Sequence, residues 1–301
     1  MVIASHSSAH EGKDDCTKSV QLNPLVDVAW LKQNLNDENL IVIDATVKIS
    51  MTPEGQFNIS SGKTDFDKVH IPGARFADLL GGFSASSELN FIMPSPEQMQ
   101  KSISNLGISN NSRVVIYSTK PTQSWAQRLW WMLYWAGHDD VAILDGGLTA
   151  WTDEDFAVSD KVVNFAKTNY KLHLRPEIIA NHDEVYQAID DKKTTLIDAL
   201  PESSYSGQYA MYPRLGHIKS AISVPTGQMH TETGHYKTDD ELKKLFSSNP
   251  NQRIISYCGG GVAASSTAFT LHRLGYKDVA VYMGSLQEWT ADESNPMEVE
   301  N

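Results

Sequence analysis

The chain has 301 residues, enough for two ordinary domains, because single hydrophobic cores seldom grow beyond about 250 residues. Hydrophobic residues make up 41% of it, so the chain can bury a core and fold by burial alone. The formal net charge of −12 excludes a general binding surface for nucleic acid or anionic membranes, since both need a positive field. No apolar stretch approaches the roughly 18–20 residues of a membrane span, so no transmembrane segment is predicted.

The first 21 residues are polar and lack both the apolar core of a secretory signal and the arginines of a mitochondrial presequence. We interpret residues 1–21 as a mobile tail and expect a cytoplasmic protein. Of the two cysteines, Cys16 lies in this tail and Cys258 lies near the other end of the chain. A disulfide framework is therefore not expected, and Cys258 is predicted to be a free thiol.

Four segments of the first half recur in the second half in the same order. LIVIDA, VHIPGARF, RVVIYS and DVAILDGGLTAW return as TLIDAL, GHIKSAISVP, RIISYC and DVAVYMGSLQEW. The offset between matched residues falls steadily, from 154 for Asp44 and Asp198 to 138 for Trp151 and Trp289. Two copies of one fold with different loop lengths produce this pattern, so the sequence predicts an internal duplication.

In each half, short β-branched runs such as LIVID, RVVIYS and DVAIL alternate with helical stretches such as SWAQRLWWMLYWAG. Alternating strands and helices predict parallel sheets covered on both faces, hence an α/β fold. The aromatic stripe WAQRLWWMLYW is interpreted as a buried core helix without chemistry. We predict tandem domains at residues 22–159 and 172–296, a polar linker at residues 160–171, and a ligand cleft between the domains.

Cys258 is followed by three glycines and then by small, helix-compatible residues, in the run SYCGGGVAAS. We predict that it lies in the turn between the strand RIISY and a helix beginning near Val262 or Ala263. In parallel α/β folds this turn lies at the carboxyl edge of the sheet, where ligands bind. Bare amides beside a helix N-terminus form an anion-binding concavity that stabilises a thiolate. The predicted cradle consists of five amides, those of Gly259, Gly260, Gly261, Val262 and Ala263.

The run around Cys258 also allows other interpretations. One alternative is a small buried cysteine in a plain glycine turn, without any catalytic role. The first half provides a comparison, because Ser118 takes the place of the cysteine there and no glycine loop follows it. A cysteine-type phosphatase carries an arginine six positions after its cysteine, where this chain has Ala264. A metal site is disfavoured because no second cysteine or closely spaced histidine pair accompanies Cys258.

Residues 25–290 resemble the tandem-domain rhodanese superfamily of sulfurtransferases. The likeness rests on HIPGA, LDGGLTAW, CGGGVAA and GSLQEW. It implies a double displacement in which Cys258 takes a sulfane sulfur from a small-molecule donor and becomes a persulfide. The persulfide then passes its sulfur to a thiol, a thioredoxin-like protein or cyanide. The resemblance implies no metal, no organic cofactor, and no nucleic-acid or membrane partner.

The uncharged loop resembles the Cys-Gly-Ser-Gly-Val-Thr loop of enzymes that use 3-mercaptopyruvate more than the Cys-Arg-Lys-Gly-Val-Thr loop of those that use thiosulfate. The resemblance also implies that Arg214, in YPRLGH, binds the donor carboxylate and that His70, in HIPGA, acts near the cleft. For Arg214 a surface position remains an alternative. For His70 the alternative is a structural role as a hydrogen-bonded histidine at a turn. Its counterpart in the second half, His217, is interpreted as structural.

Four residues depart from the family pattern around the predicted site. Gly260 replaces a serine credited with proton handling, and Ser204 replaces a second substrate-binding arginine. Met283 and Leu286 stand where the family usually has aspartate and tryptophan. Because these changes lie around the predicted site, they leave the choice of donor open.

Three hypotheses follow from the sequence. The first is a sulfurtransferase that uses 3-mercaptopyruvate or a similar small donor through a Cys258 persulfide. The second is a thiosulfate:cyanide sulfurtransferase. The third is a rhodanese-like module in which Cys258 carries or senses sulfur without turnover.

Overall fold

Two five-stranded parallel sheets, each flanked by helices, form the two halves of the protein. This architecture was observed in a computed structural model, which describes residues 22–51, 57–119, 124–246 and 248–300. The α/β prediction of two tandem domains with parallel sheets is confirmed. The predicted tail at residues 1–21, with Cys16, lies outside the described residues.

The first half contains seven strands and five helices among its described residues. The strands are β1 (Leu25–Val26), β2 (Leu40–Asp44), β3 (Val47–Met51), β4 (Phe57–Ser61), β5 (Arg75–Phe76), β6 (Arg113–Tyr117) and β7 (Val141–Leu144). The helices are α1 (Val28–Asn34), α2 (Lys63–Phe66), α3 (Pro96–Asn105), α4 (Ser124–Trp135) and α5 (Gly147–Asp153).

The described part of the second half also has seven strands and five α-helices, with short 3-10 turns at Pro176–Ile178 and Thr226–Met229. The strands are β8 (Ile179–Ala180), β9 (Thr194–Asp198), β10 (His217–Ile218), β11 (Ile222–Ser223), β12 (Arg253–Tyr257), β13 (Asp278–Tyr282) and β14 (Met297–Glu298). The helices are α6 (His182–Ala188), α7 (Glu202–Tyr205), α8 (Asp239–Lys243), α9 (Val262–Arg273) and α10 (Ser285–Trp289).

The two main sheets share one strand order. The first runs β1-β7-β6-β2-β5 and the second, in the matching direction, β8-β13-β12-β9-β11. The central strands are apolar and buried because helices cover both faces of each sheet. The duplication seen in the sequence is thus a duplication of topology.

Three features lie outside this shared plan. Strands β3 and β4 form an antiparallel hairpin that belongs only to the first half. Strand β14 pairs with β10, so the second half continues past residue 296, where the sequence analysis ended it. Residues 160–171, the predicted linker, contain no helix or strand. Within the described ranges, no helix has the length and apolarity needed to cross a membrane.

Helices α4 and α9 pack against each other and join the two halves. The ring of Trp130 meets Phe269 edge to face at a centroid distance of 5.0 Å and lies 5.1 Å from the ring of His272. Across the same boundary, the Gln127 side-chain amide donates to the Tyr236 hydroxyl at 2.8 Å. The aromatic stripe is therefore buried, as predicted, and it fixes the position of one half against the other.

Equivalent buried aspartates end β2 and β9, the matching inner strands of the two sheets. Asp44 ends β2 and accepts from the amide of Thr46, while Asp198 ends β9 and accepts from the amide of Leu200, both at 2.8 Å. These bonds turn the chain back over the carboxyl edge of each sheet. Burial disfavours the ionised form and raises the pKa of Asp198 to about 6.

We expect Asp198→Asn to flatten the dependence of unfolding free energy on pH between 4 and 7. The folded-state pKa of Asp198 lies above its ordinary value of 3.8, so the folded protein binds the proton more tightly than the unfolded chain. Stability from this group is therefore lost as pH rises from about 4 to about 6, by roughly 2–3 kcal/mol. Because the asparagine side chain does not titrate, the variant should not lose this stability as the pH rises.

Urea denaturation of both proteins at pH 4, 5, 6 and 7 measures the effect. Asp191→Asn is the matched control, because hydrogen bonds from Lys193 and Thr194 lower the pKa of that exposed carboxyl below its ordinary value of 3.8, so its contribution changes mainly below the measured pH range. A constant stability difference between wild type and Asp198→Asn across the four pH values would contradict the prediction.

Candidate active site

Cys258 follows the last residue of β12 and precedes α9 by three glycines. Its side chain is buried, at 2% exposure, yet it lines a cleft of about 280 Å³ between the two halves. It is a free thiol. The cysteine thus lies in the strand-to-helix turn at the carboxyl edge of the second sheet, where the sequence analysis expected it.

Backbone amides of helix α10 bind the carbonyl groups of the cysteine loop. The carbonyl of Cys258 accepts from the amide of Leu286, and that of Gly259 accepts from the amide of Gln287, both at 3.0 Å. In a trans peptide the N–H points opposite to the C=O. The amides of Gly259 and Gly260 therefore point away from α10, and both residues line the cleft. Neither amide donates to a protein acceptor in the described part of the chain.

The hydroxyl of Ser285 closes the other side of the loop. Its Oγ accepts from the amides of Cys258 and Gly261, both at 3.1 Å, and donates to the carbonyl of Tyr282 at 2.7 Å. The Gly261 amide, which the sequence analysis placed in the anion cradle, is thus occupied inside the loop. The cradle that faces the cleft reduces to four residues, with the first-turn amides of α9 supplied by Val262 and Ala263.

Both halves supply walls of the cleft. The first half contributes mainly apolar side chains, those of Ile49, Ile59, Phe91, Ser124 and Trp125. Besides the cysteine loop, the second half contributes Leu200, Met211 and Tyr212. The Tyr212 hydroxyl lies so close to Gly259 that a Cβ at that glycine would lie 1.6 Å from it. Burial, with the nearby charges of Cys258 and Asp198, raises the pKa of Tyr212, so its hydroxyl stays protonated.

A buried guanidinium lies directly behind the loop. Arg128, on α4 of the first half, is 2% exposed, and a Cβ at Gly261 would lie 2.5 Å from its Nη1. Nη1 donates to Sδ of Met283 at 2.6 Å, and Nη2 donates to the carbonyl of Phe91. No described carboxylate pairs with it. Burial lowers the pKa of Arg128 to about 10, while the negative charge of Cys258 opposes that shift.

The structure does not bring Arg214 or His70 to the cleft. The Arg214 Nη1 donates to the main-chain carbonyls of Asp292 and Asn295, at 3.0 and 2.8 Å. It therefore holds the segment after α10 and is not aimed at a donor carboxylate.

His70 is wholly buried within the first half. Its Nδ1 lies 2.6 Å from the carbonyl oxygen of Phe66, on whose ring it stacks, and its Nε2 lies 3.2 Å from that of Lys161. His217 repeats this arrangement with Tyr205. The structural alternative left open for His70 describes both histidines.

Comparison with known proteins agrees with this geometry. The profile of the rhodanese-like domain matches residues 27–154 and 181–292, one match for each half. The chain belongs to the rhodanese family. It is 31% identical over 319 residues to thiosulfate/3-mercaptopyruvate sulfurtransferase 2 of Arabidopsis thaliana, covering 97% of this chain and 91% of that protein. It is 29% identical over 277 residues to thiosulfate sulfurtransferase of Rattus norvegicus, covering 88% and 91%.

A solved structure shares the fold of this rhodanese. The crystal structure of the 3-mercaptopyruvate sulfotransferase SseA from Escherichia coli matches with a TM-score of 0.76 at 28% identity, covering 87% of this chain and 98% of that one. The protein is therefore a tandem rhodanese-domain sulfurtransferase of the thiosulfate/3-mercaptopyruvate type.

Two residues of this rhodanese site, Ser285 and Arg128, were not predicted from the sequence. Ser285 was overlooked because its role depends on a positive φ of 52° that turns its hydroxyl into the loop. Arg128 was assigned to a core helix, since an arginine among tryptophans gives no signal of what it faces across the domain boundary. Met283 was noted as a departure, and the structure adds that it leaves this arginine without a carboxylate.

We expect Ser285→Gly to destabilise the protein by about 2–4 kcal/mol, because two buried amides lose their acceptor. Glycine accepts the positive φ of position 285, so the change removes the hydroxyl without adding strain. Ser220→Gly is the matched control, since that serine also has a positive φ, of 66°, but is exposed. Urea denaturation compares the variants, and equal effects at the two positions would contradict the assignment.

We expect Met283→Asp to make the protein more stable and Cys258 less reactive. The new carboxylate would pair with the Arg128 guanidinium and cancel the positive charge that now acts on the thiolate. Alkylation by iodoacetamide at fixed pH should slow on the order of tenfold. Met283→Leu is the control, because it keeps the volume without adding charge. Equal alkylation rates for the Asp and Leu variants would contradict this role of Arg128.

Proposed function

We propose that this sulfurtransferase transfers the sulfur atom of 3-mercaptopyruvate, in preference to the sulfane sulfur of thiosulfate, to a thiol acceptor through a persulfide on Cys258. The observation that carries the proposal is the single thiol at the bottom of the cleft, beside two outward-facing glycine amides and in front of a buried guanidinium. A persulfide is an anion, and these groups stabilise an anion without crowding its terminal sulfur.

In the first half-reaction the Cys258 thiolate attacks the sulfur of 3-mercaptopyruvate. A new S–S bond forms, the C–S bond of the donor breaks, and the electron pair of that bond remains on carbon as the enolate of pyruvate. The enolate takes up a proton, and the donor leaves as pyruvate. The protonated Tyr212 hydroxyl at Gly259 is placed to supply this proton or to hold the donor oxygen.

The preference over thiosulfate rests on charge. Thiosulfate is a dianion, whereas 3-mercaptopyruvate carries one carboxylate, and the described walls of the cleft hold no ionised side chain other than the Cys258 thiolate. Desolvating two charges against apolar walls costs more than desolvating one. The Arg128 guanidinium lies behind the loop and already donates to Met283 and Phe91.

Intact-mass measurement of the protein after brief exposure to 3-mercaptopyruvate or to thiosulfate tests the proposal. We expect wild type and Cys16→Ser to gain one sulfur atom and Cys258→Ser to gain none. Pyruvate formation in the presence of a thiol should fall to the uncatalysed rate in Cys258→Ser, because no other described thiol exists to form the intermediate.

The other outcomes identify the alternatives. Faster sulfur gain from thiosulfate, with thiocyanate formed from cyanide, would support a thiosulfate:cyanide sulfurtransferase. A stable persulfide with no release to any thiol would support a module that carries or senses sulfur. No gain from either donor would overturn the proposed half-reaction. The cytoplasmic location expected from the sequence stays a prediction.

A further inference from the structure

The cleft is walled mainly by apolar side chains from both halves. Ile49 and Ile59 face each other across the β3–β4 hairpin, at matched positions of the ladder. Both line the cleft with Trp125, whose ring meets Phe91 edge to face at 5.0 Å, and with Met211. These side chains line the same cleft as Cys258, so a molecule whose sulfur reaches the thiol must lay its carbon body against them.

The polar side-chain groups of the cleft lining, apart from the Cys258 thiol, are uncharged. Among the described lining residues, the polar side-chain groups other than the thiol are the hydroxyls of Ser124 and Tyr212 and the buried indole N–H of Trp125, none of which carries a charge. The glycine amides sit beside Cys258 and serve a small anion there, not one several ångströms further out. A carboxylate at the far end of a longer acceptor would lose water without gaining a cationic partner among the described lining residues.

We propose that the sulfur acceptor of this site is a thiol with an uncharged, apolar carbon body of about five carbon atoms or a single ring. The proposal rests on the persulfide chemistry proposed above and adds the class of acceptor. A cavity of about 280 Å³ has room for a body of this size. Each buried methylene group favours binding, whereas a terminal charge opposes it.

The transfer step balances without any further reagent. The acceptor thiolate attacks the outer sulfur of the Cys258 persulfide, a new S–S bond forms, and the bond between Sγ and the outer sulfur breaks. Its electron pair leaves with Sγ, which regenerates the Cys258 thiolate, and the acceptor departs as an alkyl persulfide. The proton lost by the acceptor thiol passes to solvent or to the product, and the oxidation level of the pair is unchanged.

Three thiols of matched length test the proposal: 1-pentanethiol, 4-mercapto-1-butanol and 4-mercaptobutyrate. Their thiol groups have similar basicity because the variable end lies several bonds away. The protein is loaded with persulfide by 3-mercaptopyruvate, or independently by inorganic polysulfide, and loading is verified by mass. The second-order rate constant for loss of the persulfide is then measured with each thiol, and the same thiols are run against glutathione persulfide to correct for intrinsic reactivity.

After this correction, we expect the rate constant for 1-pentanethiol to be about ten times that for 4-mercapto-1-butanol. We expect the rate constant for 4-mercaptobutyrate to be the lowest of the three. Ile59→Lys should slow the pentanethiol reaction by about the same factor and accelerate the mercaptobutyrate reaction, because it places a cation in the apolar wall. Ser60→Lys is the matched control. It adds the same charge one residue along β4, on the opposite face of the hairpin, and should keep the wild-type order.

Equal rate constants for the three thiols, or a fastest reaction with 4-mercaptobutyrate in the wild type, would overturn the proposed acceptor class. No discharge of the polysulfide-loaded protein to any of them would overturn it as well. Failure of loading by both 3-mercaptopyruvate and thiosulfate, with the expected order after polysulfide loading, would instead overturn the proposed donor reaction and leave the acceptor class supported.

Discussion

The site depends on the hydrogen bonds between α10 and the cysteine loop. Two carbonyls of the loop are bonded to the first amides of α10, and two amides are bonded to the hydroxyl of Ser285. Because peptide groups are planar, fixing the carbonyls of Cys258 and Gly259 also fixes the direction of the next two amides. The donors for a bound anion are therefore oriented before any substrate arrives, which is the condition for electrostatic stabilisation without reorganisation.

Glycine is required at two loop positions for different reasons. Gly261 has a φ of 78°, and a Cβ there would also strike the Arg128 guanidinium behind it. At Gly259 a Cβ would strike the hydroxyl of Tyr212 in front. The loop is thus held between a cation on one side and a protonated phenol on the other, and only bare backbone fits between them.

The two similar halves contribute different parts of the site. The second half keeps the thiol and its loop, whereas the first half has Ser118 in the equivalent place, with its carbonyl bonded to Leu148 as that of Cys258 is bonded to Leu286. The first half contributes the hairpin that walls the cleft and, from α4, the buried Arg128. The first half, which has no cysteine at this place, thus contributes walls and a buried positive charge to the site in the second half.

The sequence by itself determined the α/β class, the duplication, the position of Cys258 and the start of α9, because hydrophobic period, repeats and glycine placement are local properties of the chain. It could not determine what Arg214 and His70 contact, since a motif names a residue but not its partners. Only the tertiary structure decided that Arg128 and Ser285 complete the site and that apolar walls surround it. Those contacts join residues more than 20 positions apart, across a domain boundary or between separate elements, and no local pattern encodes them.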